Sequence, residues 1–133
     1  MKELECGIKC EKFIKVKKEY LANEIGSGDV SVFSTPMLVN AMESAASELL
    51  REYLKHGTVS VGTKINIDHI APTLEGVCVR ITAELISIEG RKYKFYVEAY
   101  DNAGIIAKGE HERIVLDKER FLKKAEERSK TII

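Results

Sequence analysis

Residues 36–70 read PMLVNAMESAASELLREYLKHGTVSVGTKINIDHI, and the hydrophobic period changes at Gly57. Before that glycine, Leu38, Met42, Ala45, Leu49 and Tyr53 recur at the spacing of one helix face, and Val39, Ala46 and Leu50 widen it. Asn40, Ser44, Ser47, Glu48 and Arg51 form the opposite, polar side. Thr35 suits the N-cap, and Pro36 suits the first helical position, where its missing N–H leaves nothing unpaired. Gly57 suits the stop. So wide an apolar face predicts a helix over 36–54 that other structure largely surrounds. After Gly57 the pattern alternates. Val59, Val61, Thr63, Ile65 and Ile67 take one face and Ser60, Gly62, Lys64 and Asn66 the other, which predicts a half-buried strand.

Downstream, residues 77–88, 91–100 and 105–116 also alternate, broken by turn signals at 71–76, at Glu89-Gly90 and at 101–104. Inward positions read as Val77, Val79, Ile81, Ala83 and Leu85, then Tyr93, Phe95, Val97 and Ala99. Upstream, residues 8–18 can form a strand, with Ile14 and Val16 two apart, and 19–34 read mostly as loop. Residues 117–130 predict a polar, exposed helix with Phe121 and Leu122 as anchors. Short connections force antiparallel pairing. The long helix must bury its apolar face and the sheet must cover its own. The economical solution is one α+β domain over 1–133: a curved antiparallel sheet wrapped around one long central helix. An open outer strand predicts edge-to-edge pairing into a homodimer, with a dimer of dimers as an extension.

The 133 residues carry 44% apolar residues and no net charge, with 21 basic and 21 acidic side chains. That balance supports a real core and argues against a nucleic-acid partner, which needs a basic patch. No apolar run reaches the ~20 residues of a membrane span. The charged start, MKELECGIKCEKF, does not resemble a signal peptide. Cys6, Cys10 and Cys78 suggest neither a disulfide framework nor a zinc site. The expectation is a cytoplasmic protein with free thiols, no metal and no cofactor.

Three residues stand out by position. His69 continues the apolar row of its strand past Ile67, so it is either a core histidine or one lining a cleft where it can move protons. Glu43 lies at the border of the helix's apolar face, either reaching water or pointing into a pocket. Thr35 is a helix cap or, beside free backbone N–H groups, part of an oxyanion site. Thr35 and Glu43 are eight residues apart, roughly 12 Å of helix rise, so they cannot touch along a straight helix. Weaker candidates are His111, which shares a strand face with Arg113 and either touches substrate or, the reading preferred, faces solvent, and His56, read as a helix-end residue. No serine-hydrolase elbow, phosphate loop or dinucleotide fingerprint is present.

Three segments together, STPMLVNAMESAA (34–46), VGTKINIDHIAPTLEG (61–76) and VEAYDNAGIIAKGEHERIVLDKERF (97–121), resemble the fluoroacetyl-CoA thioesterase-like branch of the hotdog superfamily. The resemblance runs from about residue 8 to residue 121 and implies Thr35, Glu43 and His69 as catalytic residues. It also implies Gly62 near the acyl group, with Phe33 and Pro36 beside the substrate. It further implies a homodimer with acyl-CoA at the subunit interface, where Thr35 orients the carbonyl, Glu43 activates water or attacks, and His69 serves the leaving thiolate. The specialised enzyme of this branch carries aromatic residues before the helix and beside the glutamate. This chain has Ser44 after Glu43 and only Phe33 in the loop, which points to a general short- or medium-chain, or aromatic, acyl-CoA.

Two other readings compete: an acyl-CoA binding or sensing module, and a hotdog enoyl-CoA hydratase. The hydratase would use an Asp–His pair, but Asp68 and His69 are adjacent and point to opposite faces of a strand.

Overall fold

The computed structural model describes residues 4–131. In chain order these form strand β1 (Lys9–Lys15), a 3-10 turn (Lys18–Tyr20) and short helix α1 (Ala22–Ile25). Helix α2 (Thr35–Arg51), strands β2 (Thr58–His69), β3 (Cys78–Glu89), β4 (Lys92–Asp101) and β5 (Gly104–Asp117), and helix α3 (Lys118–Ser129) follow. All five strands make one antiparallel sheet in the order β1-β3-β4-β5-β2, so β1 and β2 are its edges.

The predicted α+β architecture holds. Leu38, Met42, Ala45, Ala46 and Leu50 of α2 are wholly buried, as are Val79, Ile81, Ala83 and Leu85 of β3 and Phe95, Val97 and Ala99 of β4. Alanines at 45 and 46 on the helix and at 83 and 99 on the sheet keep the side chains short where helix and sheet meet. The helix ends at Arg51, three residues before the expected stop at 54, and the chain reverses through Gly57 at φ +87°. That left-handed backbone suits a residue without Cβ.

Two local readings change. Ser34, not Thr35, is the N-cap: its Oγ accepts from the Met37 N–H at 3.3 Å, and Thr35 is the first helical residue with Pro36 second. In β2 the alternation does not run through unbroken. Gly62 pairs with Arg113 and Lys64 with Glu112, so Thr63 is an extra residue in a β-bulge. The bulge switches faces. Ile65 and Ile67 pack on the core, and His69 shares their face. Before the bulge it is Ser60 and Gly62, opposite the inward Val115 and Arg113, that share this face. Val59 and Val61 therefore point to the outer face, contrary to the sequence pattern.

Gly109 fixes how closely β5 and β2 can approach. An added Cβ there would run into the Asn66 carbonyl oxygen and lie 2.6 Å from Ile67 Cα, backbone atoms that cannot swing away. Helix α3 starts from the Asp117 cap, which accepts from Arg120 N–H at 2.9 Å. It buries no residue, and Phe121 and Leu122 stay exposed, so they do not anchor the helix within this chain.

Candidate active site

The chain preceding α2 is clipped to the chain following β2. Phe33 N–H donates to Thr73 O at 2.8 Å, and Ser34 N–H donates to Tyr20 O at 3.0 Å. Beyond His69, the N–H groups of Ile70 and Ala71 both donate to Ile106 O, at 2.7 and 3.2 Å. These bonds set the first turn of α2 beside the last residue of β2. The result is a 2.7 Å hydrogen bond between Thr35 Oγ1 and His69 Nδ1. Thr35 can make it because Ser34 has taken the capping duty. A threonine at the N-cap would spend its hydroxyl on the helix's own N–H groups. His69 is half-buried, and desolvation pushes its pKa down against an opposing backbone interaction with Ala71. A cleft of about 350 Å³ opens here, lined by Phe33, Pro36, Ala71 and Ala22 together with Thr35 and His69.

Glu43 lies elsewhere. Its Oε1 is 3.3 Å from the position a Cβ would take on Gly62, as is Arg113 Nη1, and His111 Cε1 is at 3.1 Å. The absent side chain of Gly62 is thus the space on which a carboxylate, a guanidinium and an imidazole converge. Arg113 donates from Nε to Ser60 Oγ at 2.8 Å, from Nη2 to Ser60 O at 3.0 Å and from Nη1 to His111 Nε2 at 3.1 Å. Burial lowers its pKa and the charge of Glu43 raises it in opposition; a guanidinium remains a cation.

His111 is a correction. It was expected to face solvent and is wholly buried. Its Nδ1 meets Lys64 O at 2.8 Å, and a carbonyl only accepts, so Nδ1 carries the proton. Arginine only donates, so Nε2 must be the acceptor, and the ring is held neutral in one tautomer. Burial first, and Arg113 after it, depress its pKa. Sequence position could have flagged the pair, because His111 and Arg113 are two apart on one strand. Without the bulge, nothing in the pattern showed that they face Glu43.

The sequence candidates therefore fall into two clusters within one chain: Thr35 with His69, and Glu43 with Gly62, Arg113 and His111. Helix rise separates Thr35 from Glu43 by about 12 Å, and seven residues of strand separate Gly62 from His69 by roughly 23 Å. Asp68 pairs with Lys108 on the face opposite His69, which removes the Asp–His arrangement a hydratase would need. Among the described residues no cluster of ligands could hold a metal ion, and no helix is long and apolar enough to cross a membrane.

Depressed histidines carry a pH signature. If neutral His69 is the working form, the acid limb of kcat/KM should lie below the ordinary histidine value near 6.5. Unfolded histidines gain protons near that value, whereas folded His69 and His111 resist until lower pH. The stability they contribute is fully present above about pH 6.5 and lost as pH falls through their depressed folded values. Urea midpoints at neutral and mildly acidic pH, beside the pH–rate profile, check both statements.

One long helix held in the concave face of a curved antiparallel sheet, with polar residues where helix and edge strand meet, defines a hotdog-fold protein. Residues 16–119 match the model of the fluoroacetyl-CoA-specific thioesterase family. The chain is 40% identical over 98 residues to the fluoroacetyl-CoA thioesterase of Streptantibioticus cattleyicolor, covering 74% of this chain and 70% of that protein. A crystal structure of the fluoroacetyl-CoA thioesterase FlK superposes with a TM-score of 0.89 at 32% identity, covering 98% of this chain and all of that one (100%). A point mutant of FlK in complex with fluoroacetate and CoA gives 0.83 at 32% identity, covering 89% and 99% of the two chains. A hot-dog-like protein from Thermanaerovibrio acidaminovorans gives 0.88 at 26% identity, covering 96% and 94%. The chain belongs to the fluoroacetyl-CoA-specific thioesterase family.

Proposed function

We propose that this protein hydrolyses an acyl-CoA thioester to the free acid and CoA, as a cytoplasmic homodimer with active sites built at the subunit interface. The observation that carries the reading is the 2.7 Å Thr35–His69 bond at one end of β2, with Glu43 poised over Gly62 further along the same face. One chain keeps these groups too far apart to act on one carbonyl. The unpaired outer edge of β2 supplies the remedy. Antiparallel pairing of two β2 edges runs the His69 end of one protomer along the Thr58 end of the other. Thr35 and His69 of one subunit then serve the thioester on which Glu43 of its partner acts.

In this mechanism Thr35 orients the thioester carbonyl, and Arg113 supplies a fixed positive charge beside it as negative charge develops. Glu43 activates water, or attacks to give a transient anhydride. When Glu43 acts as base, the proton taken from water passes to His69, neutral at the outset, and from its imidazolium to the departing thiolate; when Glu43 attacks, the thiolate leaves as the anion and takes its proton from solvent. Pro36 has no N–H, and the N–H groups of Met37 and Leu38 go to Ser34, so the first turn of α2 offers an oxyanion little besides Thr35. Gly62 keeps open the space where the acyl group meets Glu43.

No aromatic residue follows Glu43, and Phe33 is 1% exposed, so neither guards the site as a selectivity gate. The substrate proposed is a general small acyl-CoA, its acyl group lying in the cleft walled by Phe33, Pro36 and Ala71. Thiol release from acyl-CoAs of graded chain length, with sedimentation of the same preparation, tests the reading. Turnover of at least one thioester by a dimer is expected. Tight acyl-CoA binding without thiol release would instead identify a sensing module.

A further inference from the structure

A second cleft, of about 370 Å³, opens on the same side of the sheet at the far end of α2. Arg51, Lys55 and His56 line it, together with Ser47, Thr58 and Ser60, and none of its lining residues is acidic. It adjoins the Glu43 cluster at Ser60, a lining residue that also holds Arg113 by two hydrogen bonds. Ser47 and Arg51 follow Glu43 at intervals of four along α2, one helix row pointing from the carboxylate to the mouth of the cleft.

Basic residues at a helix C-terminus ordinarily answer the helix dipole. Here that explanation is incomplete, because Lys55 and His56 lie beyond the helix end at Arg51, in the turn leading to β2. Two acids of the neighbouring elements are engaged elsewhere. Glu48 is bound by Lys12 at 2.8 Å, and the Asp117 carboxylate caps α3.

From this arrangement we infer that Arg51, Lys55 and His56 form the subsite for the phosphate-bearing end of the CoA substrate. The inference rests on the thioesterase reading and deepens it. From Glu43 to Arg51 the helix rises about 12 Å, and the arginine side chain extends the reach further. That is the scale of the pantetheine arm that separates a thioester from the diphosphate. Arginine suits bidentate contact with phosphate and lysine adds a mobile point charge. Ser47 and Ser60 offer hydroxyls to the amides of the arm between. A thioester carbonyl at Gly62 thus places its polyanionic tail where the charged lining residues, Arg51 and Lys55, are both cations.

The test compares two substrates with the same acyl group, acetyl-CoA and S-acetylpantetheine, or whichever acyl group the panel shows to be turned over best. Native enzyme should show a much lower KM for the CoA ester, and the advantage should shrink as salt rises, since the mouth is exposed. In Arg51→Glu/Lys55→Glu the KM for the CoA ester should rise at least tenfold while the two substrates' KM values converge. Arg51→Gln and Lys55→Gln, each alone, give a smaller shift in the same direction should the double variant fold poorly. Binding of adenosine 3′,5′-bisphosphate, followed by calorimetry, gives a readout independent of turnover and should be lost in the same variants. Unchanged KM for the CoA ester in folded charge-reversed protein, or undiminished bisphosphate binding, overturns the subsite. Absence of turnover of either ester, with bisphosphate binding that depends on these residues, overturns the hydrolase reading and leaves the subsite standing.

Discussion

Replacing Glu43 with glutamine should lower kcat by about a thousandfold, within the range that a positioned acid or base contributes. Glutamine keeps the size of the side chain and one acceptor oxygen beside Gly62, so the loss isolates the carboxylate. Thr35 and His69 do not touch Glu43 within the chain, and their 2.7 Å bond should survive the change, whereas the melting temperature should fall somewhat, because buried Arg113 loses the charge that offsets its desolvation. KM should change little if glutamate acts only in the chemical step. A variant retaining activity within about tenfold would mean that this carboxylate is neither base nor nucleophile. Label found in the Glu43 carboxylate after a single turnover in heavy-oxygen water identifies direct attack, with the anhydride hydrolysed at the glutamyl carbonyl, because general-base catalysis never labels the residue.

Gly109→Ala should meet the most severe clash of any glycine-to-alanine change in this fold. A Cβ at 109 lies 2.6 Å from Ile67 Cα and closer still to the Asn66 carbonyl oxygen. No rotamer relieves a clash with backbone, so β5 and β2 must separate locally. Overpacking typically costs about 1–3 kcal/mol, and an unyielding neighbour places this substitution at or above the upper end, with a fall in melting temperature on the order of 10 °C. The effect should extend to assembly and catalysis, because the displaced strand is the proposed dimer edge and ends in His69. Gly28→Ala is the control. There the new Cβ would sit 3.6 Å from Ala22 Cβ, an ordinary contact, and stability should stay within about 0.5 kcal/mol. Equal melting temperatures for the two variants would show that β2 is free to move.

Much of this molecule is legible in its hydrophobic periods. The switch from helical to alternating spacing at Gly57 predicts α2 and β2, and the later alternations predict β3, β4 and β5, because burying one face is the dominant favourable contribution to folding. The hairpin turn at Glu89-Gly90 follows from glycine's tolerance of positive φ, which is 62° at Gly90. Glu43, at the edge of the helix's apolar face, and His69, at the end of an apolar row, are likewise singled out by their places in the pattern.

What the pattern could not reveal depends on contacts between residues distant in sequence. Ser34 and Thr35 are both competent caps, and the choice is made by bonds from Phe33 and Ser34 to Thr73 and Tyr20, which turn the serine toward the helix and leave the threonine to His69. A β-bulge inserts one residue relative to a partner strand, so alternation along β2 alone cannot announce that Thr63 reverses the faces. That reversal carries Gly62 inward, opposite Arg113. His111 looked solvent-facing for the same reason: its burial comes from the Lys64 carbonyl and Arg113, partners supplied only when β5 pairs with the bulged strand. Local sequence thus determined which elements form and, except in β2 before its bulge, which faces they bury, through side-chain periodicity. Tertiary structure alone decided which polar groups meet, because hydrogen bonds and charge contacts depend on register, and register is a property of two strands together.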